Sequence, residues 1–399
     1  MLVLLTILIV TLIPSIPPAY SLDDAAASDS TDVPELDVEV GGALRYNFVY
    51  RDFNDADRDQ LGQLLFDTFR VNTDVTYGPL ELGAEYRFYA GYHMLKTGWV
   101  GYRFGEALFA QLGVHQVPFG ITTYASNSWF FQLPYYVGLE DDHDAGVKLT
   151  YAKGAWVVAG AFYKQADGPF TGSSLASARY SYDVVPITDG ALDYGSAPVT
   201  GTRSNSEANQ GNLKVTYTAG GDRASAEIGA SGQFGGLYNA TTTDMGSHWA
   251  AAGHVNATVG RFNAKLQVIR FAHDPANPVG QSEDFIVFGA YDFPYKATAD
   301  GTFYSAALNL AFPVNRGVFS TINVYNDFSY LDKDPENYVE SIQNITGVSV
   351  GAGPLFTYFD LVVAKNHPFA IVGEDFAAAL AEGSDDWHIR FNVNVGVYF

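Results

Sequence analysis

The sequence has no cysteine and few charged residues. With no cysteine among 399 residues, disulfide frameworks, thiolate metal sites and cysteine nucleophiles are all excluded. Charged residues make up only 17% of the chain, which is below the roughly 25% of typical soluble domains. Lys and Arg number 22 against 44 acidic residues. This deficit argues against a nucleic-acid partner, because phosphate backbones require a basic surface.

Long apolar runs are also missing. After residue 13 no stretch approaches the ~20 consecutive apolar residues that a membrane helix needs, although 47% of the residues are hydrophobic. Glycine (40 residues) and aromatic residues (15%) are both abundant. Together these features favour many strands joined by tight turns, and therefore an all-β protein.

The N-terminal residues are typical of export. An apolar run of about a dozen residues precedes several prolines and the small-residue stretch that ends at Ser21, which predicts a signal peptide over residues 1–21. The basic residues that usually open such a peptide are missing here. Residues 22–35 are acidic and rich in small side chains, and we predict a flexible leader there.

The C-terminal segment shows the pattern that dominates the rest of the chain. Apolar side chains from Trp387 to Phe399 alternate with residues such as Arg390 and Asn392, which is the period of a strand with two different faces. Sixteen segments share this pattern: 37–51, 65–77, 80–92, 97–104, 107–117, 145–152, 155–164, 211–218, 222–234, 247–259, 261–271, 301–312, 317–330, 342–352, 355–365 and 387–399.

The connections between these segments alternate between short turns and mostly longer loops, as in outer-membrane barrels. Residues 285–292 look like another strand, but an odd number would put the chain ends on opposite sides. We therefore place 272–300 in one long external loop and predict a transmembrane antiparallel β-barrel of 16 strands over residues 36–399, with 18 strands as the variant. Such a barrel encloses water, so the apolar face points outward to lipid.

A family resemblance rests on two short stretches. LGVHQVPFG at residues 112–120, preceded by ALFAQ, and DAGVKLTY at 144–151 resemble the phosphate-selective porins of the O and P type. The resemblance implies a general porin-like, homotrimeric diffusion channel whose third loop, 118–144, folds into the pore. Separately, the terminal Tyr398 and Phe399 on the closing strand resemble the assembly signal of outer-membrane proteins, which implies that the barrel-assembly machinery is a partner. The excess of acidic residues predicts that phosphate preference does not come with the resemblance.

Selectivity in a pore depends on where the lumen charges lie. The basic residues at predicted inward positions are Arg45, Arg70, Arg87, Arg103, Lys148, Lys214, Lys265 and Arg390. Inward acidic residues at predicted positions are Asp37, Glu39, Asp74, Glu81, Glu85, Glu227, Asp327 and Asp360, so the wall is about neutral. The third loop brings Glu140, Asp141, Asp142 and Asp144. These acids either face the arginines across a constriction, pair with neighbours, or remain solvated in the loop.

Two other features of the third loop have alternative interpretations. Its acidic run could supply oxygen ligands for Ca²⁺, but it lacks the spacing of a known calcium loop, so we predict no metal and no cofactor. Its aromatic residues either guide sugars or pack the loop against the wall: Trp129, Phe130, Phe131, Tyr135 and Tyr136.

The function predicted from the sequence is passive diffusion of small hydrophilic solutes or ions through a porin. Its expected location is the outer membrane of a Gram-negative-type bacterium, in contact with lipid and lipopolysaccharide. We expect no enzyme activity, because no nucleophile–base arrangement is recognisable. The alternatives are a barrel enzyme that hydrolyses lipid or glycan, and a non-conducting anchor or adhesin.

Overall fold

The computed structural model describes residues 34–122, 124–168, 171–172, 177–187, 203–221, 223–370 and 376–399. The signal peptide and most of the acidic leader predicted from the sequence lie outside these ranges. The first strands are β1 (Leu36–Arg51), β2 (Gln63–Tyr77), β3 (Leu80–Phe88), β4 (His93–Phe104), β5 (Leu108–Gln116), β6 (His143–Lys153), β7 (Trp156–Ala166), β8 (Asp183–Val184), β9 (Asn205–Gly221) and β10 (Ala224–Asn239). The rest are β11 (Met245–Val259), β12 (Phe262–Asp274), β13 (Phe285–Ala290), β14 (Phe293–Thr298), β15 (Asp300–Arg316), β16 (Phe319–Lys333), β17 (Ser341–Ala352), β18 (Leu355–Lys365) and β19 (Trp387–Tyr398).

Sixteen of these strands form a closed antiparallel barrel, which confirms the predicted fold. Each strand pairs with its neighbours in sequence, and β1 closes the barrel by pairing with β19 in the register Arg45–Gly396 and Asn47–Asn394. The strands β8, β13 and β14 form a separate three-stranded sheet. The β-like segment around residue 285 therefore belongs to a loop, as the parity of the strand count predicted.

The barrel has a turn side and a loop side. Connections of two or three residues join β2 to β3, β4 to β5, β6 to β7, β9 to β10, β11 to β12, β15 to β16 and β17 to β18. Both barrel ends of the chain, Leu36 and Tyr398, lie on this turn side. The other connections are longer, and they include the α-helix α1 (Asp55–Gln60) and the 3₁₀ helices Leu133–Val137 and Phe376–Ala378.

The outward face is apolar from strand to strand. Exposed side chains on it include Val100, Leu149, Leu266 and Val324. Aromatic residues crowd both ends of the strands, and examples are Tyr77, Phe104, Tyr151 and Trp156 on the turn side and Phe66, Phe88, Trp249 and Trp387 on the loop side. An apolar belt between aromatic girdles is the surface of a barrel in a bilayer. None of the helices in the described ranges is long and apolar enough to cross a membrane.

Part of the interior is a hydrophobic core rather than a polar lumen. On the wall formed by β10–β12, β15 and β16, inward side chains pack against the three-stranded sheet and the 117–142 connection. Ile269, Phe271 and Phe303 are fully buried there, and Phe271 stacks on Phe303 at 5.2 Å between ring centroids. The expectation of mostly polar inward faces is therefore wrong for this wall, because loop residues fold back and give these side chains an apolar partner.

Candidate functional site: an arginine-lined cavity beside the inner segment

The connection between β5 and β6, residues 117–142, crosses the interior of the barrel and is called the inner segment below. Three lysines from separate strands donate hydrogen bonds to it or to its entry. Lys148 Nζ lies 2.7 Å from the Gln116 carbonyl oxygen, and Lys214 Nζ lies 2.8 Å from Thr122 Oγ1. Lys265 Nζ bonds two carbonyl oxygens of the segment at 3.0 and 3.1 Å. These predicted pore lysines therefore hold the inner segment in place.

Two inward carboxylates hold the middle of the inner segment against the opposite wall. Asp327 on β16 accepts hydrogen bonds from the backbone amides of Asn127 and Ser128 at 2.8 and 2.7 Å. Asp360 on β18 accepts one from the amide of Trp129 at 3.1 Å. A buried backbone amide without a partner would cost about 1–3 kcal/mol. The two carboxylates therefore supply hydrogen-bond acceptors to backbone amides of a segment that has left the sheet.

The Pro-Phe-Gly turn begins this crossing. Gly120 has a φ of +55°, and a Cβ there would lie 2.5 Å from Gln267 Oε1. That same oxygen accepts a hydrogen bond from the amide of Ile121 at 2.7 Å. Glycine therefore fits both the left-handed backbone and the close approach to β12.

An open cavity of about 450 Å³ remains between the inner segment and the wall formed by β1–β3 and β19. Four of the predicted pore arginines line it: Arg45, Arg70, Arg87 and Arg390. Tyrosines line much of the remaining wall, including Tyr89, Tyr92, Tyr124, Tyr180, Tyr291, Tyr358 and Tyr398. We call this space the arginine cavity.

Each arginine of the cavity is fixed by an acid, a ring or a carbonyl group. Arg45 Nε lies 2.9 Å from Asp67, while Arg70 and Arg87 both contact Glu85, at 3.3 and 2.6 Å. Arg390 donates to a loop carbonyl oxygen at 2.9 Å and lies over the Phe130 ring at 4.4 Å. Four arginines against two acids leave a net charge of about +2, by this count of partners. A cavity of this kind favours anions.

The acids of the third loop do not form a solvated rim. Glu140, Asp141, Asp142 and Asp144 are only 1–7% exposed. Asp141 bonds Lys96 Nζ at 3.0 Å and accepts the Tyr180 hydroxyl at 2.6 Å. Burial raises the pKa of Glu140 to about 8, against the opposing effect of backbone amides at Ser126 and Ala125. These residues face protein because the three-stranded sheet and the loop after β7 cover them.

The remaining predicted residues lie on the turn side, on the closing strand or in the lining of the arginine cavity. Arg103 is on the turn side, 47% exposed at its side chain, and bonds Glu81 at 2.6 Å. Tyr398 faces inward and lines the cavity, with Arg70 5.5 Å from its ring centroid. Phe399 extends the closing strand, since its backbone exchanges hydrogen bonds with Gly42 at 2.8 and 3.1 Å. The five aromatic residues singled out in the third loop all line the cavity: Trp129, Phe130, Phe131, Tyr135 and Tyr136.

Lys96 is an inward basic residue that sequence reasoning missed. The alternation that puts Val100 and Tyr102 outward would put Lys96 outward as well. A bulge in β4, where Glu85 pairs with Thr97 but Tyr86 pairs with Leu95, reverses the direction. Lys96 is 8% exposed. The signal in the sequence was a lysine at a position that alternation turns toward lipid, since a bulge changes the period of the strand without changing its residue types.

The sequence matches no family model, and no curated protein sequence is significantly similar to it. Solved structures do resemble the barrel. OmpT, an outer membrane protein of Vibrio cholerae, aligns over 94% of this chain and all of its own, with 14% identity and a TM-score of 0.54. The outer membrane channel DcaP of Acinetobacter baumannii aligns over 94% of this chain and all of its own, with 12% identity and a TM-score of 0.53.

A third similar structure is the anion-selective porin from Comamonas acidovorans. It aligns over 92% of this chain and all of its own length, with 14% identity and a TM-score of 0.51. The structural neighbours are thus outer-membrane barrels that include porins. At this level of identity the likeness establishes the shared fold.

Proposed function

We propose that this protein is an outer-membrane porin that passes small hydrophilic solutes, with a preference for anions. The observation that carries the proposal is the arginine cavity inside a closed barrel whose outward face is apolar. An apolar outward face favours a location in a bilayer. The charges that line a partly open interior determine which ions a channel selects. The channel and the anion-selective porin among the structural neighbours support the same function.

The anion preference rests on the arrangement of the basic residues. Lys148, Lys214 and Lys265 bond the inner segment and its entry, whereas the arginines of β1–β3 and β19 line open space. The total charge of −22 gives no information on this point, because acids such as Asp142 and Asp144 are buried among loops. Membership of the phosphate-selective porin family stays a prediction, and so does the constricting role of residues 118–144.

The test is conductance of the purified, folded protein in a planar bilayer under a KCl gradient. A porin gives stable channels, and the arginine cavity predicts a reversal potential on the anion-selective side. Cation selectivity would contradict the arginine cavity as the selecting element. It would leave the porin proposal intact.

A second function is favoured by the hydrophobic core inside the barrel. Phe271, Phe288 and Leu331 belong to a cluster that joins the wall to the loop sheet, and a fully plugged barrel would act as an anchor or adhesin. Such a barrel would give no conductance in the planar-bilayer experiment although it is correctly folded.

We also propose that the barrel is not an enzyme. Three of the buried histidines have structural partners: His115 contacts the Tyr163 hydroxyl at 3.1 Å, His254 contacts Glu227 at 3.3 Å, and His273 contacts a carbonyl oxygen at 3.0 Å. A lipid or glycan hydrolase would instead show turnover that is lost on changing one histidine or serine. A radiolabelled-lipopolysaccharide and phospholipid hydrolysis assay on the folded protein tests this directly.

We propose a homotrimer with β16 and β17 in the contact between copies. Asn326 points outward in the middle of β16 and donates to Asn344 Oδ1 at 3.1 Å and to Thr346 Oγ1 at 2.9 Å. Polar side chains facing lipid are costly, so a protein surface is the better neighbour. A fluorophore on Asn326→Cys should be quenched less by brominated lipid than one on Val268→Cys, an outward residue of β12. Equal quenching would contradict this contact.

Targeting and assembly complete the proposal. Residues 1–21 direct export, and Phe399 is presented to the barrel-assembly machinery before β19 closes on β1. Lipid and lipopolysaccharide then surround the outward face.

A further inference from the structure

A cluster of buried carboxylates lies where the inner segment ends, on the side away from the arginine cavity. Oxygen atoms of Asp142, Asp144 and Asp183 lie within 4.8 Å of one another. These residues are 6%, 1% and 1% exposed. Asp167 and Glu207 lie close by, and the partner identified for the cluster is Arg179, 3.1 Å from Asp183 and 3.7 Å from Asp167. Several buried acids with one guanidinium must be neutralised further, either by protons or by a cation.

Two of the three aspartates, Asp142 and Asp144, each keep a buried oxygen without a hydrogen-bond partner. Asp144 Oδ2 accepts a hydrogen bond from Gln210 at 3.3 Å, and its Oδ1 has no hydrogen-bond partner. Asp142 Oδ1 is likewise buried without a hydrogen-bond partner. Glu207 Oε1 accepts from the amide of Val184 at 3.1 Å. Metal-binding carboxylates are oriented by hydrogen bonds of this kind to the second oxygen.

A small, partly open cavity beside Asp142 and Asp183 gives independent evidence of a missing occupant. The cavity has a volume of about 10 Å³ and is lined by Asp142, Asp183, Glu207 and His248, among others. Its size suits one water-sized particle. His248 is 3% exposed, and its Nε2 has no hydrogen-bond partner.

We infer that Asp142, Asp144 and Asp183 bind one divalent cation, preferentially Ca²⁺, that ties the end of the inner segment to the loop after β7. The ligand set is oxygen-rich, which suits Ca²⁺ and Mg²⁺. Ca²⁺ takes oxygens at about 2.3–2.6 Å, so oxygens on opposite sides of the ion lie at most about 5 Å apart, and the three carboxylates fall within that limit. Mg²⁺ needs a tighter octahedron and keeps several waters, for which the small cavity has little room.

The site was not apparent from the spacing of the acids in the sequence. Asp142 ends the inner segment, Asp144 is the second residue of β6, and Asp183 lies on β8, which the sequence placed in no strand. The fold brings these elements together because β8 pairs with β13 above the inner segment.

Calorimetric titration of the folded protein with CaCl₂, after treatment with EDTA, tests the inference. The wild type should show one binding event that Asp142→Asn/Asp183→Asn lacks, and Ca²⁺ should bind at least about tenfold more tightly than Mg²⁺. The matched control is Asp59→Asn/Glu283→Gln, which removes two exposed acids and should bind as the wild type does. A wild-type titration that equals that of the site variant would overturn the inference.

A second measurement keeps the inference testable if the site variant does not fold. Thermal unfolding of the wild type, followed by circular dichroism, should occur at a higher temperature in Ca²⁺ than in EDTA, because a ligand that binds the folded state stabilises it. Identical unfolding temperatures in the two solutions would contradict the site. Channel activity does not enter either readout, so failure here leaves the porin proposal untouched.

Discussion

Neutralising Arg70 should reduce the anion selectivity of the channel more than any comparable change on the turn side. Arg70 lines the arginine cavity, and its partner Glu85 keeps Arg87 at 2.6 Å when Arg70 is removed. The Arg70→Gln variant therefore changes the cavity charge from about +2 to about +1 without leaving an unpaired acid.

The expected size of the effect follows from Coulomb's law. An ion about 5 Å from a guanidinium in water-like surroundings gains or loses about 0.8 kcal/mol, or roughly fourfold in occupancy. Removing the charge lowers the occupancy of the cavity by anions and raises that by cations by the same factor. The ratio of anion to cation permeability therefore changes by at most about fifteenfold. Screening in about 0.1 M salt reduces this to roughly fivefold.

The assay is the reversal potential of single channels under a KCl gradient, and two variants provide the controls. Arg70→Lys keeps the charge and should retain the wild-type ratio. Arg103→Gln removes an arginine that is half exposed on the turn side and outside the cavity lining, and it should change the ratio by less than about twofold since solvent screens it. Equal shifts for Arg70→Gln and Arg103→Gln would refute the cavity as the selecting element.

Three further predictions concern the loops and the closing strand. Asp57 is buried and accepts three hydrogen bonds from one arginine. The Asp57→Asn variant should therefore lower the free energy of local loop opening by about 2 kcal/mol, which speeds tryptic cleavage after Arg58 roughly thirtyfold. Those hydrogen bonds lower the pKa of Asp57, so its stabilisation of the loop is complete above the ordinary carboxyl pKa of about 4 and is lost only at lower pH. Pepsin cleavage of the loop that begins near pH 4 would contradict this. Asp327→Ala removes the acceptor of two inner-segment amides and should raise the conductance and its noise, whereas Asp74→Ala should leave both unchanged. Identical recordings from these two variants would contradict the anchoring role. Deletion of Phe399 should lower the yield of heat-modifiable barrel in the outer membrane several-fold. An unchanged yield would show that Phe399 is not part of the assembly signal.

The barrel could be predicted from the sequence because its determinants are local and repeated. Alternation fixes which face meets lipid, and the position of short turns fixes the sidedness and the parity of the strand count. These rules placed the segment near residue 285 in a loop although its composition is that of a strand. They also placed Arg45, Arg70 and Arg87 on the inward face, where the structure has them.

The contents of the lumen could not be predicted in the same way. Lys96 faces inward only because of a bulge, and Asp142 meets Asp183 only because the loop after β7 folds over the inner segment. The apolar inward residues Ile269 and Phe271 look like lipid-facing residues in the sequence. Contact with a loop packed inside the barrel stabilises apolar side chains as contact with lipid does, because both remove them from water. Long-range contacts between loops therefore decide the site, and alternation contains no information about them.

The central claim is that the barrel is an open channel with a basic selectivity region. Single-channel recording of the folded wild-type protein in a planar bilayer tests it most directly. The account predicts stable conductance and a reversal potential on the anion-selective side under a KCl gradient. A correctly folded, heat-modifiable barrel that gives no conductance would contradict the claim and favour the plugged anchor.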